Sequence, residues 1–325
     1  MALYRYRLTP LSAFATPLRS DTLYGHLLWA AAMLHGKARV NSLIEAFAAG
    51  SPPFIFSSAL PAGGLPFPVL PGIARGRFKA QFADTGSLFE QLRALKSFRK
   101  QTHWHLEQWQ CLEGRISQER LFTEWLVAKA GRKAQKQPAK FNPDATTVYQ
   151  PHVSIDRLSG SVLQEGGLFF SSGTWYRPGL ALDLYVETAD LDTFETLFRH
   201  VETVGFGADR TTGKGQFKFE RDNTFDPAPF LAEGTHRLSL SVCAAMDMRS
   251  FEGYWIPFVK HGRAWNGFGE SNPYKKPFMA FAEGSLFKRM PKSGYLLRNI
   301  HSDPGIVQVC WPLTIPVTLE ENHAD

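Results

Sequence analysis

One stretch constrains this chain's fold more than any other: a strand, a one-faced helix, a glycine loop and a second strand, in that order, between Leu180 and Phe219. Leu180, Leu182, Leu184 and Val186 alternate with Ala181, Asp183, Tyr185 and Glu187, the two-residue period of a strand with one buried face. Asp190 then caps a helix that carries Phe194, Leu197, Phe198 and Val201 at i, i+3, i+4 and i+7, one apolar stripe made to lie on a sheet. The loop Gly205-Phe206-Gly207-Ala208-Asp209-Arg210-Thr211-Thr212-Gly213-Lys214-Gly215 follows, and Phe217-Lys218-Phe219 resumes an alternating strand. A helix whose only apolar face must meet a sheet points to an α+β layer, and the element order fits that better than a barrel or a doubly wound sheet.

The other end of the chain repeats the theme. Leu3 to Leu8 alternates with Tyr4, Tyr6 and Leu8 on one face and Arg5 and Arg7 on the other. After a turn-rich stretch, Ser20 or Asp21 is placed to cap a helix bearing Leu23, Leu27, Ala31 and Leu34, with Gly36 available to end it. A second short helix around Leu43, Ile44 and Phe47 precedes a strand at Phe54-Ile55-Phe56 and a Pro/Gly-rich loop from Leu60 to Gly72. Leu238 to Val242 and Ile306 to Val317 supply later strands. The order predicts two ferredoxin-like, RRM-like βαββαβ domains. The first spans residues 1–150 and carries a helical insertion at about 87–140; the second spans 151–325 and holds the glycine loop. Within the insertion, Leu88, Leu92 and Leu95, and Leu121 and Trp125, have helical spacing, and Lys129 to Asp144 is expected to be mobile.

The chain has 325 residues and a net charge of +6, which favours an anionic partner. Charge is concentrated: eleven Lys or Arg stand against four Glu between Arg93 and Lys140, a local surplus larger than that of the whole chain. Such a run is either a solvated helix face or an anion-binding surface. Trp104, Trp109 and Trp125 lie among these cations as base-stacking candidates or as core. His103, His105 and Cys111 have no metal-site spacing if that segment is helical, because residues two apart on a helix diverge. The three cysteines, Cys111, Cys243 and Cys310, form no CxxC pair. No apolar run is long enough to span a bilayer, so the expected location is cytoplasmic, with no membrane partner.

The glycine loop suits phosphate. Glycines allow positive φ and close approach, consecutive N–H groups can form an anion nest, and Arg210 and Lys214 add charge beside Thr211 and Thr212. A nucleotide-triphosphate loop is excluded: five residues rather than four separate Gly207 from Gly213, Gly215 stands where Ser or Thr would hold magnesium, and helix precedes strand. A plain glycine-rich turn is the alternative reading.

This loop resembles the signature glycine-rich loop of the RAMP superfamily, the RRM-like proteins of CRISPR systems, where it follows a helix and contacts guide RNA. Pro10-Leu11-Ser12-Ala13-Phe14, Thr16-Pro17-Leu18 and Ser20-Asp21-Thr22-Leu23-Tyr24-Gly25 are similar to the opening of one branch in particular, the fourth-subunit family of type III-A Csm effectors. Val153-Ser154-Ile155-Asp156-Arg157-Leu158-Ser159-Gly160, Gly166-Gly167-Leu168-Phe169-Phe170, and Lys275-Lys276-Pro277-Phe278 leading to Glu283-Gly284-Ser285 extend the likeness over nearly the whole chain. The resemblance implies a non-catalytic subunit with no cofactor and no metal. It would cap the effector, hold the 5′ handle of the crRNA, and dock the large polymerase-like subunit beside an adjacent RAMP backbone subunit, meeting target RNA only indirectly.

On that resemblance the RNA-binding candidates are Arg19, Ser20, His26, Ser154, Asp156, Arg157, Gly205, Gly207, Arg210, Thr211, Thr212, Gly213, Lys214, Gly215, Lys275 and Lys276. Ser20 doubles as a candidate helix cap, which leaves Arg19 as the better phosphate contact. Ser154, Asp156 and Arg157 either bind the handle or fix a loop. RAMP nucleases that trim precursor RNA use an N-terminal-domain histidine, so the rival reading is an endoribonuclease that uses His26; no proton-transfer partner beyond Tyr24 is evident.

Overall fold

The computed structural model describes residues 1–82, 87–134, 145–162, 165–264 and 272–320. The chain opens with strand β1 (Ala2–Pro10) and helix α1 (Ser20–Ala48). Gly36, at φ 76° and ψ −178°, is not helical: it ends the first segment of α1, as its sequence suggests, and a second segment carrying Leu43 and Phe47 continues beyond the kink. Strand β2 (Phe54–Phe56) follows, and then the helical insertion, with short helices at Arg75–Gln81 and Leu106–Cys111 and longer ones, α2 (Leu88–Phe98) and α3 (Gln118–Ala134). Of the stretch expected to be mobile, residues 129–134 continue α3, and 135–144 lie outside the described residues.

Strands β3 (Ala145–Val153) and β4 (Leu168–Tyr176) form a long hairpin, followed by β5 (Leu182–Thr188), helix α4 (Leu191–Val204) and β6 (Phe217–Arg221). The last part of the chain supplies β7 (His236–Ser239), β8 (Glu252–Tyr254), β9 (Leu286–Arg289) and β10 (Thr314–Leu319).

The main sheet has the order β6-β1-β5-β2 with every neighbour antiparallel, and its register sets Tyr6 opposite both Leu184 and Arg221. Numbered along the chain, these four strands read 4-1-3-2, with α1 in the first crossover and α4 in the second. Both helices lie on one face. Leu23, Leu27, Phe194, Leu197 and Phe198 bury against Tyr6, Leu184 and Phe219, with the Phe219 ring 4.4 Å from Tyr6 and 4.3 Å from Phe198. The stripe read on α4 is the stripe that is buried.

The expected division at residue 150 is corrected by this pairing. It would cut the hairpin, in which Gln150 pairs with Ser171, and it would separate β5, α4 and β6 from the β1 strand that they flank. Alternation marks a strand but not its partner, so a strand about 180 residues away completes the opening sheet. The glycine loop therefore joins the last helix and the last strand of the sheet that β1 opens.

The second sheet runs β8-β9-β7-β10, the same 4-1-3-2 order, with residues 115–116 of the insertion added in parallel at the β10 edge. Among the described residues its crossovers hold no α-helix, only a 3-10 turn at Met248–Ser250. Its Leu238, Leu286, Ile315 and Val317 share a core with Phe98, Trp104, Trp109, Phe122 and Trp125 of the insertion, so the three tryptophans are core. Tyr185 joins them from the main sheet, covered by Phe225 and Phe230 at 5.7 and 5.1 Å. The sheet face that an RRM offers to bases is thus partly roofed here. His103 to His105 is a strand, not a helix, so the two histidines share a face; among the described residues no group of three or more metal-ligating side chains lies together. No helix among the described residues is long and apolar enough to cross a membrane.

Candidate nucleic-acid interface

The glycine loop is closed at both ends by backbone contacts that only glycine permits. Gly205 (φ 82°) donates to the Val201 carbonyl and turns the chain out of α4. Across the neck, Phe206 N–H donates to Gly215 O at 2.9 Å and Gly215 N–H to Ala13 O at 2.8 Å. A Cβ on Gly215 would lie 1.9 Å from the Phe206 carbonyl oxygen, and one on Gly207 2.7 Å from the Thr16 side chain. Between the ends, Arg210–Thr212 forms a 3-10 turn, entered through Asp209 and left through Gly213, both at positive φ.

Side chains from α1 and the segment before it hold the loop down. Gly207 N–H donates to His26 Nε2 at 3.1 Å and Ala208 N–H to Thr16 Oγ1 at 3.0 Å, while Ser12 Oγ accepts from Gln216 N–H at 2.9 Å. Thr212, Gly213 and Lys214 N–H groups donate back to carbonyls of Asp209 and Arg210. The N–H groups of residues 205–208 and 212–215 are therefore spent inside the fold, which corrects the expectation of an anion nest along those parts of the loop. What the loop turns outward is the exposed Ala208, Asp209, Thr211, Thr212 and Gly213 beside the half-buried Arg210, with the Asp209 carboxylate paired to Lys214.

Lys214 is likewise a brace rather than a phosphate grip. Its Nζ sits 2.9 Å from Asp209 Oδ2 and 2.9 Å from Ser171 Oγ, with its side chain only 9% exposed. Ser171 also meets His152 Nε2 at 2.7 Å, so Lys214 ties the loop to both strands of the hairpin. Phe14 and Thr174 exchange backbone hydrogen bonds beside this contact, and the loop, the Ser12–Thr16 segment and the hairpin base form one surface.

His26 packs its ring 4.6 Å from Phe206 and accepts through Nε2. Burial, assisted by the Arg210 charge, lowers its pKa to about 4, so the imidazole is neutral at physiological pH and its proton belongs on Nδ1. Arg210 lies over the Trp29 ring at 4.7 Å, which holds the guanidinium against α1. His26 therefore shapes the loop from beneath.

The remaining candidates lie elsewhere. Arg19 makes a two-pronged ion pair with Glu283 at 2.7 and 3.2 Å, which also accepts from Ser58 Oγ, and it sits over Phe258. Ser20 is fully buried: its Oγ accepts from Val242 N–H, and its own N–H donates to Ser58. It neither caps α1, whose N-cap is Arg19 without a side-chain bond, nor reaches solvent. Asp21 is buried too, 2.7 Å from Lys260 Nζ. Lys275 donates to Val307 O and Gln308 Oε1, and burial lowers its pKa to about 8; Lys276 is exposed. Arg19, Ser20, Asp21 and Lys275 thus bond to the segments that connect the second sheet's strands, and neither they nor Lys276 line the loop.

Ser154, Asp156 and Arg157 lie in the connection between β3 and β4. Asp156 Oδ1 accepts from Leu158 N–H at 2.7 Å, which makes it a turn former, and Arg157 is exposed. Thr16, Trp29, His152 and Ser171, which complete the loop surface, were not singled out by sequence reasoning. Only Thr16, in the turn-rich stretch before α1, lay in a segment with any signal.

No curated protein matches the chain. Solved structures do. A chain of the crystal structure of a Csm1-Csm4 cassette in complex with cA4 superposes with a TM-score of 0.57 at 16% identity, covering 99% of this chain and 100% of that one. A chain of a Csm3-Csm4 subcomplex of the type III-A CRISPR-Cas interference complex gives 0.57 at 14% identity, covering 96% and 99%. At such identities the likeness is one of fold. The family model described as RAMP superfamily matches residues 15–218, from the segment that pins the glycine loop to the strand that follows it, and this chain belongs to the RAMP superfamily.

Proposed function

We propose that this chain is the non-catalytic capping subunit of a type III-A CRISPR effector, built from two ferredoxin-like units of which the second has lost its helices. It holds the 5′ handle of the crRNA on the surface made by the glycine loop, the Ser12–Thr16 segment and the hairpin base. The observation that carries this reading is the way His26, Thr16 and Lys214 lock the loop from below, so that Thr211 and Thr212 stand outward without reorganising beside the half-buried Arg210, whose guanidinium is held over Trp29. A pre-set cation with flanking hydroxyls suits a sugar–phosphate backbone, with sequence left to base pairing. The superfamily and the two complexes that share Csm4 support the assignment.

The hairpin is the natural seat of the adjacent RAMP backbone subunit. Tyr149, Pro151 and Val153 of β3 pair across one face with Ser172, Phe170 and Leu168 of β4, and four of the five large apolar side chains in this group, Tyr149, Val153, Leu168 and Phe170, are half to two-thirds exposed. A two-stranded ribbon with an apolar face of its own is stable when something covers that face. The large polymerase-like subunit is a second protein partner.

A nuclease built on His26 is disfavoured by its chemistry. Its Nε2 is occupied by Gly207 N–H, and with a pKa near 4 it is too weak a base for proton transfer at neutral pH. Mixing purified protein with a repeat-derived RNA tests both halves of the reading. We expect a repeat-derived RNA to bind more tightly than the same RNA with a scrambled handle, with that preference lost in Arg210→Ala, and the RNA to stay intact; equal affinity for the two RNAs, or cleavage lost in His26→Ala, would overturn it.

A further inference from the structure

The helical insertion carries a charged line that the glycine loop leaves unexplained. α2 turns Gln91, Leu95 and Phe98 into the core. Directly opposite, at i, i+4 and i+7, stand Phe89, Arg93 and Lys96, continued just past the helix end by Lys100, all exposed. Phe89 is 75% exposed, the most open aromatic ring among the exposed large side chains. The preceding short helix adds exposed Arg75, Arg77 and Lys79. Among the described residues the one carboxylate near the start of the line, Glu90, is turned back onto Ser87, accepting from its N–H and Oγ at 3.0 Å each.

We propose that this line is a second nucleic-acid surface, one that takes single-stranded RNA outside the handle, with phosphates on Arg93, Lys96 and Lys100 and a base stacked on Phe89. Charge complementarity chooses the occupant. A protein partner would require Lys at the centre of a buried interface, where it is depleted, whereas a polyanion gains by releasing counterions from each cation. An exposed ring among cations is the stacking platform of sequence-tolerant single-strand binders. The three tryptophans that look suited to this in sequence are buried, and Phe89 takes their place.

Binding of the full-length chain to a short heteropolymeric single-stranded RNA without the handle tests the proposal, read by fluorescence anisotropy over a range of salt. Arg93→Ala/Lys96→Ala/Lys100→Ala should weaken binding at least tenfold and make the dependence of log K on log salt shallower by about 2, from three lost phosphate contacts. Phe89→Ala should weaken it several-fold with the slope unchanged, and Lys96→Arg/Lys100→Arg should restore binding. Arg210→Ala should leave this binding intact while weakening handle binding, which separates this surface from the proposed handle site. Unchanged affinity and slope in the triple variant would overturn the proposal, as would a polyglutamate peptide that competes as well as RNA, which would assign the line to an acidic protein segment. The side chains of Phe89, Arg93, Lys96 and Lys100 are all exposed, so the variants of this line should melt with the parent.

Discussion

At Gly215 an added Cβ would strike a backbone carbonyl, while at Gly213, two residues away, it would meet nothing within 4 Å. Both sit at positive φ, so each pays the cost of a left-handed side chain, about 1–2 kcal/mol. Only Gly215→Ala adds a collision that the neck of the loop must move to relieve. Gly213→Ala should therefore cost about 1–2 kcal/mol in urea unfolding, and Gly215→Ala clearly more, about 3 kcal/mol or above. His26 makes a second residue-level prediction. Its ordinary pKa of 6.5 falls to about 4 in the fold, so between those values the unfolded chain takes up a proton that the folded chain refuses. Its contribution to stability is complete above pH 6.5 and is lost as pH falls toward 4. His26→Gln, which keeps an acceptor for Gly207 N–H, should flatten the fall in melting temperature between pH 7 and 4.5; His103 shifts the same way for the same reason and cancels in the comparison. The loop's glycines and its cation at 210 were legible as types in a sequence. That Lys214 would turn inward to Asp209 and Ser171 was not, because Ser171 reaches it only through the hairpin, 43 residues away in the chain.

Among the elements, α4 was the most legible and the hairpin the least. A helix announces its buried face through 3.6-residue spacing, and Phe194, Leu197, Phe198 and Val201 all went where that spacing sends them. Apolar residues on both sides of a ribbon give no such signal, and the exposure of Tyr149 and Phe170 follows from the hairpin standing apart from either core. Replacing Tyr149, Leu168 and Phe170 with Ser should leave the melting temperature of the isolated chain within a few degrees of wild type, since none is buried. The same substitutions should abolish co-purification with the adjacent RAMP subunit. A large loss of stability would show that the chain covers this face itself. The Gly36 kink has a simpler cause, since glycine tolerates the φ of 76° that re-aims α1 while Leu43 and Phe47 still reach the core.

Across the molecule, two sheets of equal strand order are locked at the start of α1. Arg19 reaches Glu283, Asp21 reaches Lys260, and Ser20 Oγ accepts from Val242 N–H, three consecutive residues spent on the segments that connect the strands of the second sheet. That is why Arg19 and Ser20, plausible phosphate contacts by position, serve as internal joints. Sequence carried the layer type, the strands and the loop's place between helix and strand. It did not carry the pairing of β5 and β6 with β1, since alternation is the same whichever neighbour a strand finds. Correct pairing places the glycine loop beside the segment before α1 and the hairpin base, which turns an isolated motif into a surface. A photo-crosslinking residue at Thr212, exposed at the loop's crest, tests that surface most directly. In the assembled complex with crRNA, the account predicts crosslinks confined to the 5′ handle; crosslinks that map to the guide region, or none from this position, would contradict it.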